Sequence, residues 1–384
     1  MSPFFEVFLA AFKLGLTSFG GPAAHIGYFQ REYVTQRRWL DESTFASLVA
    51  LCHALPGPAS SQLGIAIGVI RGGWPGALAA WLGFTLPTAI ILIALASALR
   101  AHPSLVPELH GLSIVAMGVV AQAVLLLGRK LVRNWSAGLA AAGALFLFLI
   151  LNSAYTALLV ITAAGFFGIA LRVHAPELPS VPIRLSPRGG AICLALFLAL
   201  LVFFSVLAKF SDNLYIQTFD VFYRTGSLVF GGGHVVLPLL ETEIVGRGWM
   251  NREGFLSGYG AAQAMPGPLF AFAGYVGSSM LGIGGGIVAI VGIFLPGFLL
   301  VVGSLSWWNR IQKNPSLRSA LAMIGASAVG ILGAALVILL NSALRTQFDL
   351  ILAIILLAML LTEKIPAWVV TAAGLCAWKA WTVL

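Results

Sequence analysis

Long apolar runs alternate with short polar segments along the whole chain. Most of these runs are about as long as an α-helix that crosses a membrane. Before residue 173 they cover 4–22, 44–70, 74–99, 108–128, 135–151 and 154–172. After it they cover 189–208, 214–233, 253–281, 283–307, 317–340, 348–361 and 365–383. The pattern predicts an all-α polytopic membrane protein with about thirteen transmembrane helices.

The two halves of the chain repeat the same motifs. At an offset of 211 residues, Lys13 and Gly15 align with Arg224 and Gly226, and at an offset of 210 Pro56 aligns with Pro266. After a further one-residue gap, an offset of 209 aligns Gly83, Leu86 and Pro87 with Gly292, Leu295 and Pro296. We therefore predict a first repeat over 1–172, a Pro-rich linker with an unpaired connecting helix over 173–213, and a second repeat over 214–384. If every run crosses once, the odd number of crossings between the copies inverts the second one, with broken helices in both. If the Pro-Gly-Pro runs are re-entrant hairpins, one crossing fewer separates the copies, and they are parallel.

Each copy contains a Pro-Gly-Pro break inside an apolar run, at 56–58 and at 266–268. Proline lacks an N–H group and glycine lets the backbone leave the helical region, so each break should end one half-helix and begin another. The new half-helix after Pro58 offers free N–H groups near Ala59, Ser60 and Ser61, and its positive dipole end favours an anion. The second copy has Phe270 and Ala271 instead of the two serines, so we expect the first half-site to be the more polar.

Another break, the first in chain order, precedes the Pro-Gly-Pro break in each copy, at Ser18-Phe19-Gly20-Gly21-Pro22 and at Phe230-Gly231-Gly232-Gly233. Glycines here allow the backbone to approach a ligand, and Pro22 suits the first position of a helix. The alternative is close helix packing, for which glycines are common in membranes. Pro/Gly-broken segments in corresponding positions of two halves favour a binding site of a transporter.

Lys13 and Arg224 are the basic residues that fall inside predicted spans, at equivalent positions. Each costs about 2.5 to 3.5 kcal/mol in a membrane, and a bound dianion would compensate both. The alternative is that each reaches an interface or pairs with a carboxylate such as Asp220. Glu32 and Glu243 also align, and we expect them in polar loops as salt bridges or gating groups. His25, His53 and His234 are either hydrogen-bonded imidazoles or proton-coupling groups.

The composition agrees with a membrane protein, since 59% of the residues are hydrophobic and only 9% are charged. The net charge of +9 is spread over short loops, which fits membrane topology better than nucleic-acid binding. The bias of Lys and Arg places the N-terminus in the cytoplasm, although the basic loop at 25–43 falls on the wrong side. The three cysteines are far apart and indicate no metal cluster. No nucleotide-binding loop occurs, and no cofactor is predicted.

These motifs resemble the chromate ion transporter family, in its long form with two domains. The resemblance rests on the two breaks in each copy, on His25 and on Arg38-Trp39-Leu40. It implies a carrier in the bacterial inner membrane that exports chromate and confers chromate resistance, with sulfate as a related oxyanion. From the residues themselves we reach only a secondary transporter for a small anion, preferably a dianion. Transport of sulfate or another anion, a passive anion channel, a homodimer and proton or counter-anion coupling all stay open.

A membrane-embedded enzyme that uses His53 or a serine nucleophile is disfavoured, because no catalytic spacing repeats between the halves. The candidate substrate ligands are the two cations and the residues at the breaks, namely Lys13, Ser18, Gly20, Gly21, Pro22, Pro56, Gly57, Pro58, Ser60, Ser61, Arg224, Gly231, Gly232, Gly233, Gln263, Pro266, Gly267 and Pro268. The candidate coupling or gating residues are His25, His53, His234, Glu32 and Glu243.

Overall fold

A computed structural model describes the residues 2–19, 21–101, 110–151, 154–172, 185–229, 236–344, 346–362, 365 and 367–383. Over these residues the chain is helical, with short turns and no strand. The predicted linker falls almost wholly on 173–184, outside the described residues. Its last residues are described, and Pro187 there begins a helix that Ser186 caps.

The helices before the linker are α1 (Pro3–Thr17), α2 (Gly21–Phe29), α3 (Glu42–Ala54), α4 (Ala59–Ala101), α5 (His110–Leu131), α6 (Trp135–Leu151) and α7 (Ala154–Leu171). A π-helix over Gln30–Gln36 continues α2. The connecting helix is α8 (Pro187–Leu207). The helices after it are α9 (Leu214–Leu228), α10 (Val236–Ile244), α11 (Arg252–Ala264), α12 (Phe272–Leu305), α13 (Trp308–Lys313), α14 (Pro315–Ala343), α15 (Gln347–Leu361) and α16 (Ala367–Val383).

The helices α4 and α12 are each folded back on themselves at a glycine. Gly73 and Gly282 have φ angles of 61° and 72°, a conformation that favours glycine. Next to the first fold, a Cβ atom on Gly68 would overlap the carbonyl oxygen of Gly76, so the two arms of α4 pack backbone to backbone. Each of these helices therefore has a first arm (59–71 or 272–280) and a longer second arm (74–101 or 283–305).

The Pro-Gly-Pro segments are the tips of helical hairpins. Val49 and His53 of α3 lie beside Ala59 and Leu63 of α4, so α3 runs antiparallel to the first arm of α4. In the second copy the rings of Phe255 and Phe272 are 5.1 Å apart across the corresponding hairpin. The predicted runs at 44–70 and 253–281 are thus hairpins and not single crossings.

The segment that follows the first break also runs back along α1. Lys13 contacts Glu32, and Trp39 packs beside Phe4 and Phe8 at the start of the chain. Residues 25–43, expected to be a loop, are therefore mostly helical, and their basic residues lie on the side of the N-terminus. The turn before α3 ends at Asp41, which caps that helix. Hydrogen bonds from the Ser43 hydroxyl and the Thr44 N–H group lower the pKa of Asp41 to about 2.

Contacts between the copies show that the second one is inverted. Arg100, at the end of α4, donates to the carbonyl oxygen of Ser278, beside the fold of α12. At the other end of the molecule, Gly189 of α8 lies against Trp74 at the fold of α4, and the adjacent Gly190 lies against Gly303 near the end of α12. The hairpins of the two copies therefore enter from opposite sides. A hairpin at Pro-Gly-Pro removes one crossing between the copies, which by itself would make them parallel. The hairpin of α1 and α2 removes a second crossing, so the number of crossings is odd and the copies are inverted.

Four helical segments of the described chain are long and apolar enough to cross a membrane, namely 59–101, 187–207, 269–305 and 315–338. The remaining apolar helices surround the hairpins: α5, α6 and α7 pack on α14, and α15 and α16 pack on α5. The core is continuous across both copies around the hairpins.

We predict that Gly68→Ala lowers the melting temperature of the purified protein in detergent. The new methyl group has no room beside Gly76, and such overpacking costs about 1 to 3 kcal/mol. Gly143→Ala in α6 is the matched control, because nothing lies within 4 Å of a Cβ atom there. That variant should keep or slightly raise the melting temperature, because alanine is favoured over glycine in helices. Equal shifts in the two variants would contradict the close packing of the α4 arms.

Candidate functional site

The hairpin tips of the two copies are bonded to each other. The N–H group of Gly57 donates to the carbonyl oxygen of Val229 at 2.6 Å, and that of Gly267 donates to Ser18 at 2.8 Å. Ser18 and Val229 occupy equivalent positions at the end of α1 and α9. Each Pro-Gly-Pro tip is therefore held by the other copy's first break. Gly57 and Gly267 have φ angles of 120° and 93°, which favour glycine.

Side chains from the flanking arms bind the proline carbonyl groups of both tips. The Gln62 amide donates to the carbonyl oxygens of Pro56 at 2.8 Å and Gly297 at 3.2 Å. The Thr88 hydroxyl donates to the carbonyl oxygen of Pro266. Thr88 and Gly297 are equivalent residues, so the second arm of each copy touches the tip of the other.

These bonds change the predicted anion site. The N–H groups of Gly57 and Gly267 are already engaged, so they are unavailable to a ligand. The helix after the first tip begins at Ala59, and the Gln62 N–H group bonds to the carbonyl of Pro58. The N–H groups of Ala59, Ser60 and Ser61 therefore have no acceptor one turn back in the same helix. In the second copy a short 3₁₀ turn over Leu269–Ala271 follows the tip.

The first copy carries a cluster of two cations and one carboxylate where α1 packs beside the π-helix. Lys13 Nζ lies 2.7 Å from one oxygen of Glu32, and Arg37 Nε lies 2.8 Å from the other. The Glu32 side chain is only 6% exposed, whereas that of Lys13 is 56% exposed. This cluster has one positive charge in excess, and the Lys13 ammonium group has donors to spare.

The equivalent cluster of the second copy is neutral. Arg224 lies 3.0 Å from both Asp220 and Glu243, and Arg247 lies 2.6 Å from Glu243. The pairing with Asp220 was one of the alternatives considered for Arg224. The placement of Glu32 and Glu243 in polar loops was wrong, since they lie in the π-helix and in α10 and are largely buried. Lys13 and Arg224 are held by their own copies, and no described contact joins them.

Three buried hydroxyl groups of the first copy have no hydrogen-bond partner among the described residues. They belong to Ser18 at the first break, to Ser61 at the start of α4 and to Thr85 in its second arm. Sequence reasoning had selected the two serines but missed Thr85, Gln62 and Thr88. The sequence did contain a signal for these three residues, because each is a polar side chain within about one helical turn of a Pro-Gly-Pro break or of Pro87.

Two of the candidate histidines, His25 and His53, make hydrogen bonds to the backbone. His25 Nε2 donates to the carbonyl oxygen of Ser18 at 3.1 Å, and this bond assigns the proton to Nε2. His53 Nδ1 donates to the carbonyl oxygen of Val49 at 2.8 Å. Gly21 and Pro22 lie in the first turn of α2, and Gln263 is buried in α11. The predicted residues Gly20, Gly231, Gly232, Gly233 and His234 lie outside the described residues.

The chain resembles known proteins over almost its whole length. The chromate transporter family model matches residues 5–169 and 216–378, one match in each copy. The chromate transport protein of Pseudomonas aeruginosa is 28% identical over 406 residues, covering 98% of this chain and 87% of that protein. The chromate transport protein of Cupriavidus metallidurans is 26% identical over 365 residues, covering 92% of this chain and 86% of that protein.

No solved structure matches the chain. The two family matches contain both Pro-Gly-Pro hairpins and the two charge clusters, and they leave out α8, which connects the copies. A family match in both halves of a multi-pass helical membrane protein points to a transporter rather than an enzyme, and the chain belongs to the chromate transporter family.

Proposed function

We propose that the protein is a secondary transporter that exports chromate across the bacterial inner membrane and so confers chromate resistance. The observation that carries this proposal is the meeting of each Pro-Gly-Pro tip with the end of α1 or α9 in the other, inverted copy, with an excess positive charge in the first copy. Broken helices at the interface of inverted repeats are where secondary transporters bind their substrates. The names of the relatives point to chromate as the substrate.

The first copy supplies the donors that a tetrahedral dianion needs. Its charge cluster attracts the anion through Lys13, which lies about 7 Å along the helix from Ser18. The hydroxyl groups of Ser18, Ser61 and Thr85 and the N–H groups at the start of α4 are then available to the oxyanion oxygens. The other predicted ligands at the two breaks, among them Gln263 and Pro268, shape this site. In this proposal Arg224 mainly balances Asp220 and Glu243.

Transport proceeds by alternating access around the tips, with the two copies moving against each other. Sulfate has the same charge and shape as chromate, so it competes for the site or exchanges with chromate. His25, His53 and His234 stay as candidates for proton coupling, and Glu32 and Glu243 as gating groups.

The N-terminus lies in the cytoplasm. Residues 25–43 run back along α1 and so bring Arg31, Arg37 and Arg38 to the N-terminal side. Because the second copy is inverted, the equivalent segment brings Arg247 and Arg252 to the other side. The segment that opposed this orientation in the sequence therefore supports it. Chromate leaves the cell from the side on which α4 ends.

We predict that Lys13→Gln and Arg224→Gln fail in different ways. Lys13→Gln should reduce chromate uptake into proteoliposomes by about tenfold or more, the equivalent of roughly 1.4 kcal/mol, with little change in melting temperature. Arg224→Gln leaves two buried carboxylates facing one arginine, so it should lower the melting temperature by an amount equivalent to about 3 kcal/mol.

Lys209→Gln, at an exposed lysine after α8, is the control and should retain uptake and stability. Uptake is measured with and without unlabelled chromate or sulfate inside the vesicles, and with and without a pH gradient. Full chromate flux in Lys13→Gln would exclude Lys13 as a ligand. Flux of sulfate but not chromate in the native protein would reassign the substrate, and no flux of either would contradict the proposal.

We also predict that Gly57→Ala abolishes most of the uptake. A Cβ atom there would lie 2.9 Å from the Gln62 amide nitrogen and 3.0 Å from the Cα atom of Gly297, and it would displace the bond to Val229. Gly248→Ala is matched to it, because Gly248 also has a positive φ angle of 71° but has open space around it. Both variants bear the backbone strain of about 1 kcal/mol, but only Gly57→Ala should lose transport. Equal loss in both would mean that strain alone, and not the tip contact, matters.

A further inference from the structure

A cavity of about 490 Å³ lies on the side of the molecule where α4 ends. Its walls are the end of α4, the turn before α11 and the first arm of α12. They include Arg100, Trp249, Gly254, Tyr275 and Ser279. Ala96 and Tyr275 lie eight or nine residues from Thr88 and Pro266, so the cavity approaches the tips to within about 12 Å along these helices. The lining holds one cation, Arg100, and one carboxylate, Glu253, together with polar side chains, so the cavity is polar and wide enough for a hydrated ion.

The equivalent positions on the N-terminal side pack in a hydrophobic core. At an offset of 209 residues Tyr275 and Ser279 correspond to Ala66 and Ile70, and at an offset of 210 Trp249 corresponds to Trp39. Ala66 is fully buried in a core that also contains Trp308, and Trp39 and Ile70 pack against that core. Tyr275 and Trp249 also contact a core, but they line the cavity as well. We call the side with the cavity open and the N-terminal side closed.

A cluster of charged and aromatic side chains covers the closed side. The guanidinium group of Arg71 lies 5.3 Å from the ring centre of Trp39, and that of Arg37 lies 5.2 Å from it. Tyr33 stacks on the same ring at 5.2 Å. Arg71 Nη2 also donates to both carboxylate oxygens of Glu6, at 3.1 and 3.0 Å. Arg71 thereby ties the fold of α4 to the start of α1.

The open side lacks the residues for this tie. The positions equivalent to Glu6 and Arg71 are Gln217 and Met280, which cannot form an ion pair. Trp249 keeps only the contact that corresponds to Arg37, with Arg247 at 5.2 Å from its ring centre. The contact of Arg71 with Glu6 and Trp39 is therefore present on the closed side and has no counterpart on the side with the cavity.

We infer that the cavity is the open access route for the transported anion, and that Arg71, Glu6 and Trp39 form the gate that closes the equivalent route on the N-terminal side. The inference rests on the proposed carrier function. Inverted repeats reach their second state when the two copies exchange conformations. In that state a cavity lined by Trp39, Thr44 and Ile70 opens on the N-terminal side. An exposed ion pair and a cation–π contact are individually weak, which suits a gate that breaks in every cycle.

The experiment compares cysteines at two equivalent positions, Ser279→Cys and Ile70→Cys, each in a Cys376→Ser background. Cys376 is the exposed native cysteine, whereas Cys52 and Cys193 are buried. The full-length protein is reconstituted in proteoliposomes, and the rate of labelling by a membrane-impermeant maleimide is measured from each side. We expect Ser279→Cys to react at least tenfold faster than Ile70→Cys, and from the side on which α4 ends.

Opening the gate should then expose the closed position. Adding Arg71→Met or Glu6→Gln, each of which introduces a residue of the same kind as its counterpart, should raise labelling of Ile70→Cys about three- to tenfold. The two changes together should raise labelling little more than either change alone, because both remove the same ion pair between Arg71 and Glu6. Arg31→Met, at an exposed arginine on the same side, is the control and should change nothing. Each protein is first checked for a single peak in size-exclusion chromatography.

Two results would overturn the inference. Equal labelling of both cysteines in the native background would mean that the N-terminal side is not closed. Unchanged labelling of Ile70→Cys in both gate variants would mean that Arg71 and Glu6 do not hold it shut. The labelling needs no substrate, so a protein that labels as expected but carries no chromate would contradict the proposed substrate and leave the gate in place.

Discussion

The structure depends on satisfying the backbone groups that a broken helix exposes. A helix that ends inside a membrane leaves N–H and carbonyl groups without water to bind them. Here the N–H groups of Gly57 and Gly267 find carbonyl oxygens in the other copy, at Val229 and Ser18. Neither copy provides these partners for itself. The breaks are therefore stable only where the two copies meet, which also places polar backbone at the site proposed for the transported anion.

The two copies share one framework but differ in charge and polarity. The first has an excess positive charge at Lys13 and buried hydroxyl groups near its tip, whereas the second balances Arg224 with two carboxylates and has Phe270 where the first has Ser60. Under the proposed function, divergence after duplication has concentrated the anion-binding groups in one copy. The other retains the hairpins and the backbone bonds, which are needed to complete the tips. A symmetric scaffold of this kind can hold a single asymmetric site.

The same divergence affects the two ends of the molecule. Trp39 and Trp249 are equivalent, and each lies beside an arginine, yet only Trp39 is also covered by Arg71. In the gate that we infer, a few differences between the copies at the folds of α4 and α12 bias which side is open. Because the contacts involved are weak, the bias can be reversed with the modest free energy that substrate binding supplies.

The sequence by itself determined the helical membrane fold, the duplication and the places where helices break. These follow from local properties: apolar length, the missing N–H group of proline and the freedom of glycine at 56–58 and 266–268. It also gave the resemblance to the family through short motifs. Only the tertiary structure decided that the breaks are hairpin tips, that Glu32 pairs with Lys13, and that Gln62 and Thr88 bind the proline carbonyls. The physical reason is that these contacts join residues 6 to 178 positions apart, and no local pattern encodes which distant carbonyl or charge will satisfy a buried group.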